Sequence, residues 1–200
     1  MKTANTTRRR ITRKTCGPSA ISYAGIDLAA LPKNQTGACV LSNGEYRCAT
    51  LRSDEDILQF IRDAKPAVIA IDAPLTLPRG RCCFDDACCG TRKIRECDRM
   101  LISRGHRVFP PGFSFMKQLT LRGVALRKIL EAEGYRLIEV HPRTSIRILG
   151  TTVDFGASPK TEHERDACAA AIVAKLYDEG QAEELGDDEG VIVIPKAPRE

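Results

Sequence analysis

"AVIAID", residues 67–72, is five apolar residues followed by an aspartate. A run of this length without polar alternation reads as a strand buried on both faces, and Pro74 and Pro78 end it. Strands of that kind occur in parallel sheets covered by helices, so the segment points to an α/β architecture. Working upstream, Ser53 caps a helix whose first turn holds Asp54 to Asp56 and whose inner face carries Ile57, Ile61 and Ala64. Before it, "TGACVLSNGEYRCATL" (36–51) is two strand-like runs around Asn43-Gly44, a strong hairpin signal. "AISYAGIDL" (20–28) is an earlier apolar run that also meets an aspartate, Asp27.

Downstream, residues 79–113 break the pattern with a Cys- and Arg-rich insert, a helix around residues 93–104 and the loop "GHRVFPPGFSF". A longer helix is expected over 116–133, with Leu119, Leu126, Ile129 and Leu130 turned inward. The strand "YRLIEV" (135–140), a short helix after Pro142 and a helix over 161–177 come next. An acidic linker then leads to a last strand, "GVIVIP" (190–195). Right-handed crossovers leave the strands parallel, with the first strand between the hairpin and the fourth. The fold class is a mixed α/β sheet with helices on both faces.

A chain of 200 residues with 42% apolar content suits one domain with an insert. The expected organisation is a basic, disordered tail over residues 1–18 and a single domain over 19–200. Residues 1–15 hold six Lys/Arg and no acid, leaving 25 basic against 26 acidic residues in the rest, so the net charge of +5 is mostly a property of the tail. Such a tail is either a solvated leader or an arm that touches phosphates. No run approaches the ~18 apolar residues of a membrane span, and no apolar segment follows the first charges, so a cytoplasmic protein without membrane contact is expected.

Acids stand at the ends of three apolar runs: Asp27, Asp72 and, late in "YRLIEV", Glu139. Open α/β sheets place their sites at this carboxyl edge. On the 161–177 helix, Asp166 shares a stripe with Ala170, Val173 and Tyr177, and His163 lies one turn earlier. Taken singly, each acid suits a turn or a cap, and His163 suits a surface position. Taken together they form an anionic cluster, and anions held close repel unless a cation lies between them. Oxygen donors suit Mg²⁺ or Mn²⁺, and a pair of such ions can hold the attacking and leaving oxygens of a phosphoryl displacement. The chemistry expected is metal-dependent phosphodiester hydrolysis.

The segments "YAGIDLA", "VIAIDAPL", "IEVHP" and "HERDACAAAIVA" resemble those of DUF429, a domain-of-unknown-function family of predicted RNase H-like nucleases. They are also similar to RuvC-type nucleases, whose last helix carries a His-x-x-Asp pair. The resemblance runs from about Tyr23 to Pro195 and implies an RNase H-like five-stranded sheet in the order 3-2-1-4-5. It implies Asp27, Asp72, Glu139 and Asp166 as metal ligands, His163 as a group acting on water or phosphate, and nucleic acid as substrate.

The insert "RGRCCFDDACCGTRKIREC" (79–97) holds Cys82, Cys83, Cys88 and Cys89, four of the chain's nine cysteines. Four thiolates can take Zn²⁺ or an iron–sulfur cluster, although the spacing also fits simple burial or a disulfide. Arg79, Arg81, Arg92, Arg95 and Arg99 make the insert basic, and as it leaves the sheet after Asp72 it is expected to overhang the acidic edge and bind nucleic acid. Phe109, Phe113 and Phe115 either stack bases or cover the core. Two other readings stay open: an actin-like ATPase or small-molecule kinase, and a non-catalytic nucleic-acid-binding module. Against the first, "GIDLAALPKNQTG" and "DAPLTLP" lack the glycine-rich phosphate loops it needs. The second leaves the strand-end acids unexplained.

Overall fold

The computed structural model describes residues 20–150 and 153–197. The expected basic tail lies outside the described residues. Strand β1 (Ser22–Asp27) is followed by β2 (Thr36–Ser42) and β3 (Glu45–Leu51), helix α1 (Asp54–Ala64) and strand β4 (Val68–Asp72). The insert carries α2 (Glu96–Ser103) and leads to α3 (Lys117–Ala132). Strand β5 (Leu137–Val140), helices α4 (Pro142–Leu149) and α5 (Glu162–Asp178), and strands β6 (Ala182–Asp187) and β7 (Gly190–Pro195) complete the chain.

One sheet runs β3-β2-β1-β4-β5-β7-β6. Its first five positions follow the expected order, with β1, β4, β5 and β7 parallel and β2, β3 and β6 antiparallel to their neighbours. The sheet is two strands wider than the five that the resemblance implies: β7 is the last strand read from the sequence, and β6 was not expected. Residues 182–187, expected as part of a linker, form β6, an acidic strand at the edge of the sheet that pairs with β7 across a two-residue turn and buries Leu185.

Local chemistry accounts for the elements. Asn43 and Gly44 both take positive φ, 52° and 79°, as a two-residue hairpin turn requires. Ser53 accepts from the Asp56 amide while Asp56 returns to the Ser53 amide, a reciprocal cap on α1. Thr161 caps α5 by accepting from the Glu164 amide at 3.1 Å. Glu164 turns its carboxylate to the Lys160 amide and to Thr50 Oγ1.

Strand alternation divides the core. Ala24 and Ile26 of β1 and Ile69 and Ile71 of β4 pack with Ile57 and Ile61 of α1 and Leu126 and Leu130 of α3 on one face. Ile129, expected inward, is exposed because Leu126 and Leu130 carry the buried stripe. On the other face, Tyr23, Val68, Ala70, Ile138 and Val193 pack with Ala170, Val173 and Ala174 of α5. The contact there is close. A Cβ on Gly25 would stand 2.0 Å from the Ala167 carbonyl, and one on Gly37 would stand 2.0 Å from the His163 carbonyl. Two strand glycines thus let the helix backbone rest directly on the sheet.

Candidate active site

Asp27 and Asp72 are register partners at the carboxyl ends of adjacent parallel strands. They share the parity of Tyr23 and Gly25, and of Val68 and Ala70, so both side chains rise on the face covered by α5. The first turns of α5 bring His163 and Asp166 over them. His163 Nδ1 lies 2.6 Å from Asp27 Oδ2. The three aspartates act on one another. Burial pushes the Asp72 carboxyl well above its ordinary range, and the charges of Asp27 and Asp166 push it further. Asp27 is raised by burial, which outweighs His163 and Arg143. Asp166 is raised by burial and then by Asp27.

Arg143, at the start of α4, lowers the proton affinity of all three. It is a residue that sequence reasoning missed. The available signal is its place directly after "VHP", where a helix start turns it back toward the end of β4. A cleft of about 610 Å³ opens beside Asp72, and Arg107, His141, Arg143 and Arg147 are among its walls. His141 is held by Thr144 Oγ1 at 2.8 Å, and burial pulls its pKa down to about 4, so it faces the cleft as a neutral ring.

Glu139 lies elsewhere. It is level with Ile71, one residue short of Asp72, and one step along a strand reverses the face. Its carboxylate accepts from the Leu75 amide at 2.8 Å and from Arg95 Nη1 and Nη2 at 2.7 and 2.5 Å. Arg95 also binds Asp98, through Nε at 3.2 Å and Nη2 at 2.8 Å, and its side chain is 1% exposed. The structure therefore corrects two expectations. Glu139 does not join the aspartates, and Arg95 is a buried structural cation with no surface for nucleic acid.

The other insert arginines are distributed. Arg81 corrects a third expectation: its side chain is 1% exposed and bonds the Cys83 and Arg92 carbonyls and Asp86, so it presents no surface to nucleic acid. Arg79 pairs with Asp187 and Asp188, and Arg92 with Glu189, so this part of the insert leans on the β6–β7 turn, away from the aspartates. Arg99 is half exposed and pairs with Glu96. What faces the acidic edge is the later stretch, Gly105 to Phe109, with Met116 and Leu119. Phe109, Phe113 and Phe115 are exposed, and Phe115 packs edge to face on each of the other two.

Among the described residues, two groups bring metal-ligating atoms within 4.8 Å of one another, and both are cysteine clusters: Cys82/Cys83/Cys88/Cys89 and Cys39/Cys48/Cys168. The three aspartates are not such a group: their oxygens do not all fall within that distance. Among the described residues no helix is long and apolar enough to cross a membrane.

A mixed α/β sheet with in-register aspartates on its two central parallel strands, roofed by a helix that adds a third, defines the class of this protein. Residues 25–165 match the family model described as "Protein of unknown function (DUF429)", and the chain belongs to that family. No curated protein matches it.

Proposed function

We propose that this protein is a cytoplasmic, divalent-metal-dependent nuclease of RNase H-like type that hydrolyses phosphodiester bonds of nucleic acid. The observation that carries the reading is the convergence of Asp27, Asp72 and Asp166 on one face, each made costly to ionise by burial, with Asp72 and Asp166 raised further by neighbouring aspartates. All the donors are oxygens and the charge is in excess, which fits Mg²⁺ or Mn²⁺. Asp27, Asp72 and Asp166 would hold the ion, which when bound lowers the pKa of a water and screens the charge that develops on phosphate.

The chain's own groups supply the rest. Asp27 orients His163 through Nδ1 and leaves the opposite ring nitrogen for a water or a leaving oxygen. Arg143 balances the carboxylates and offers a guanidinium to a phosphate oxygen. Arg107, Arg143 and Arg147 line the cleft that would take the polyanion.

The test is incubation of labelled single- and double-stranded DNA, RNA and hybrids with the protein in Mg²⁺ or Mn²⁺, beside an ATP-hydrolysis assay. Strand cleavage lost in both Asp27→Asn and Asp72→Asn is expected. ATP turnover without cleavage, salt-sensitive binding without cleavage, or cleavage that survives both substitutions overturns the reading.

A further inference from the structure

We propose that Cys82, Cys83, Cys88 and Cys89 form a tetrathiolate site for a single Zn²⁺ ion, which staples the insert that precedes the cleft wall. The site shares no residue with the aspartate cluster, and the inference stands apart from the nuclease reading.

Geometry carries it. Cys82 Sγ lies 3.9 Å from Cys83 Sγ and 3.6 Å from Cys88 Sγ, and Cys83 Sγ lies 3.7 Å from Cys89 Sγ. All four sulfurs fall within 4.8 Å of one another. A tetrahedron with Zn–S bonds of ~2.3 Å has edges of about 3.8 Å, so these spacings are those of ligands around one ion. A disulfide would draw a pair to ~2.0 Å. A cluster of several irons shares its cysteines among different metal atoms and spreads the sulfurs wider.

The backbone is arranged for anionic sulfur. The Cys82 amide donates to Cys89 Sγ at 3.3 Å and the Asp85 amide to Cys83 Sγ at 3.4 Å. The amides of Cys88 and Cys89 both donate to the Asp85 carbonyl, a tight turn that returns the second cysteine pair to the first. Each thiol gives up its proton when it binds, and four thiolates around one Zn²⁺ leave two negative charges. Arg81 and Lys117 stand close: Lys117 Nζ donates to the Phe84 carbonyl, and both cations lie over the Phe84 ring.

The loop needs such a staple. Between Gly80 and Thr91 it has no helix or strand, and Phe84 is its only buried apolar side chain. Small segments with so little core are commonly held by a metal or by disulfides. The end of the insert in turn braces the cleft. The Gly112 amide donates to the Lys93 carbonyl at 2.9 Å, which ties the 105–115 loop, one wall of the cleft, to that end.

The test is elemental analysis of the full chain purified under reducing conditions, with Cys82→Ser/Cys88→Ser as the site variant and Cys48→Ser as the control. One zinc per chain is expected in the wild type and in the control, with at least a tenfold loss in the double variant. Should the double variant fail to fold, Co²⁺ titration of the zinc-stripped wild type reads the same site. Intense sulfur-to-cobalt charge-transfer bands with tetrahedral d–d bands, saturating at one equivalent, are expected. Stoichiometric iron, zinc retained by the double variant, a disulfide among the four, or four freely alkylated thiols with no metal overturns the proposal.

Discussion

Glu139 and Asp72 stand on neighbouring strands one residue apart in register, yet they end on opposite faces of the sheet. That single step turns one carboxylate into a structural anchor and leaves the other among repelling anions. The anchor depends on Arg95. Replacing Arg95 by Met would strand Glu139 and Asp98 as buried charges, at a cost of about 3–5 kcal/mol. Chemical denaturation is expected to show that loss with the slope unchanged. Arg143→Ala should lower turnover about 10²-fold and also lower stability in metal-free buffer at neutral pH, because it removes a cation that favours the ionised form of all three aspartates. Single-turnover cleavage at saturating substrate checks it. At this scale the sequence showed which acids end apolar runs, and Asp27 and Asp72 stand in register on the face that α5 covers. It did not show the parity of Glu139, because that depends on where β5 pairs with β4. Nor did it show the burial of Arg95, since an arginine in a basic run looks like its exposed neighbours until its partners are in place.

The packing of α5 on the sheet is set by residues that have almost no side chain. Gly25 and Gly37 admit the helix backbone, and Ala167, Ala170, Ala171 and Ala174 are buried along its inner side. A glycine-to-alanine change at a strand position with ordinary φ is usually mild or stabilising. At Gly25 the added methyl would meet the Ala167 carbonyl at 2.0 Å and the Ala171 amide at 2.4 Å. Gly25→Ala is therefore expected to cost about 3 kcal/mol or more and to move Asp166 off Asp27, so that stability and activity fall together. Thermal melts beside the cleavage assay read both. The elements themselves were largely legible: the hairpin, the α1 cap, β4 and α5 lie within a few residues of where their patterns put them. β6 was not. Its sequence, "AEELGD", has one large apolar residue, and it becomes a strand because β7 offers it a partner.

Across the whole molecule, the three aspartates work against the fold when no cation is bound. Their carboxyls hold protons more tightly in the folded state than in the unfolded chain. The penalty is therefore absent below the ordinary carboxylate range, grows as pH rises through it, and is complete above the raised values. Asp72→Asn should thus stabilise the protein in Mg²⁺- and Mn²⁺-free buffer at neutral pH by about 1 kcal/mol, roughly 2–4 °C in Tm for a chain of this size, while abolishing cleavage. The gain should shrink as pH falls, because wild-type Asp72 is then already protonated. Added Mn²⁺ should reverse it, since only the wild type keeps the full ligand set. Calorimetry across pH, with and without the ion, follows all three effects.

β6 gives the molecule one more property. Among the described residues no strand pairs with its outer edge, the kind of ledge on which a second chain can anneal. Glu183 and Asp187 are paired there with Arg104 and Arg79, and Glu184 accepts from the Tyr177 hydroxyl. A second strand annealing there would have to strip water from these charged groups, a cost set against zipping. Replacing Glu183, Glu184 and Asp187 by apolar residues would remove that cost and is expected to raise self-association in concentrated solution.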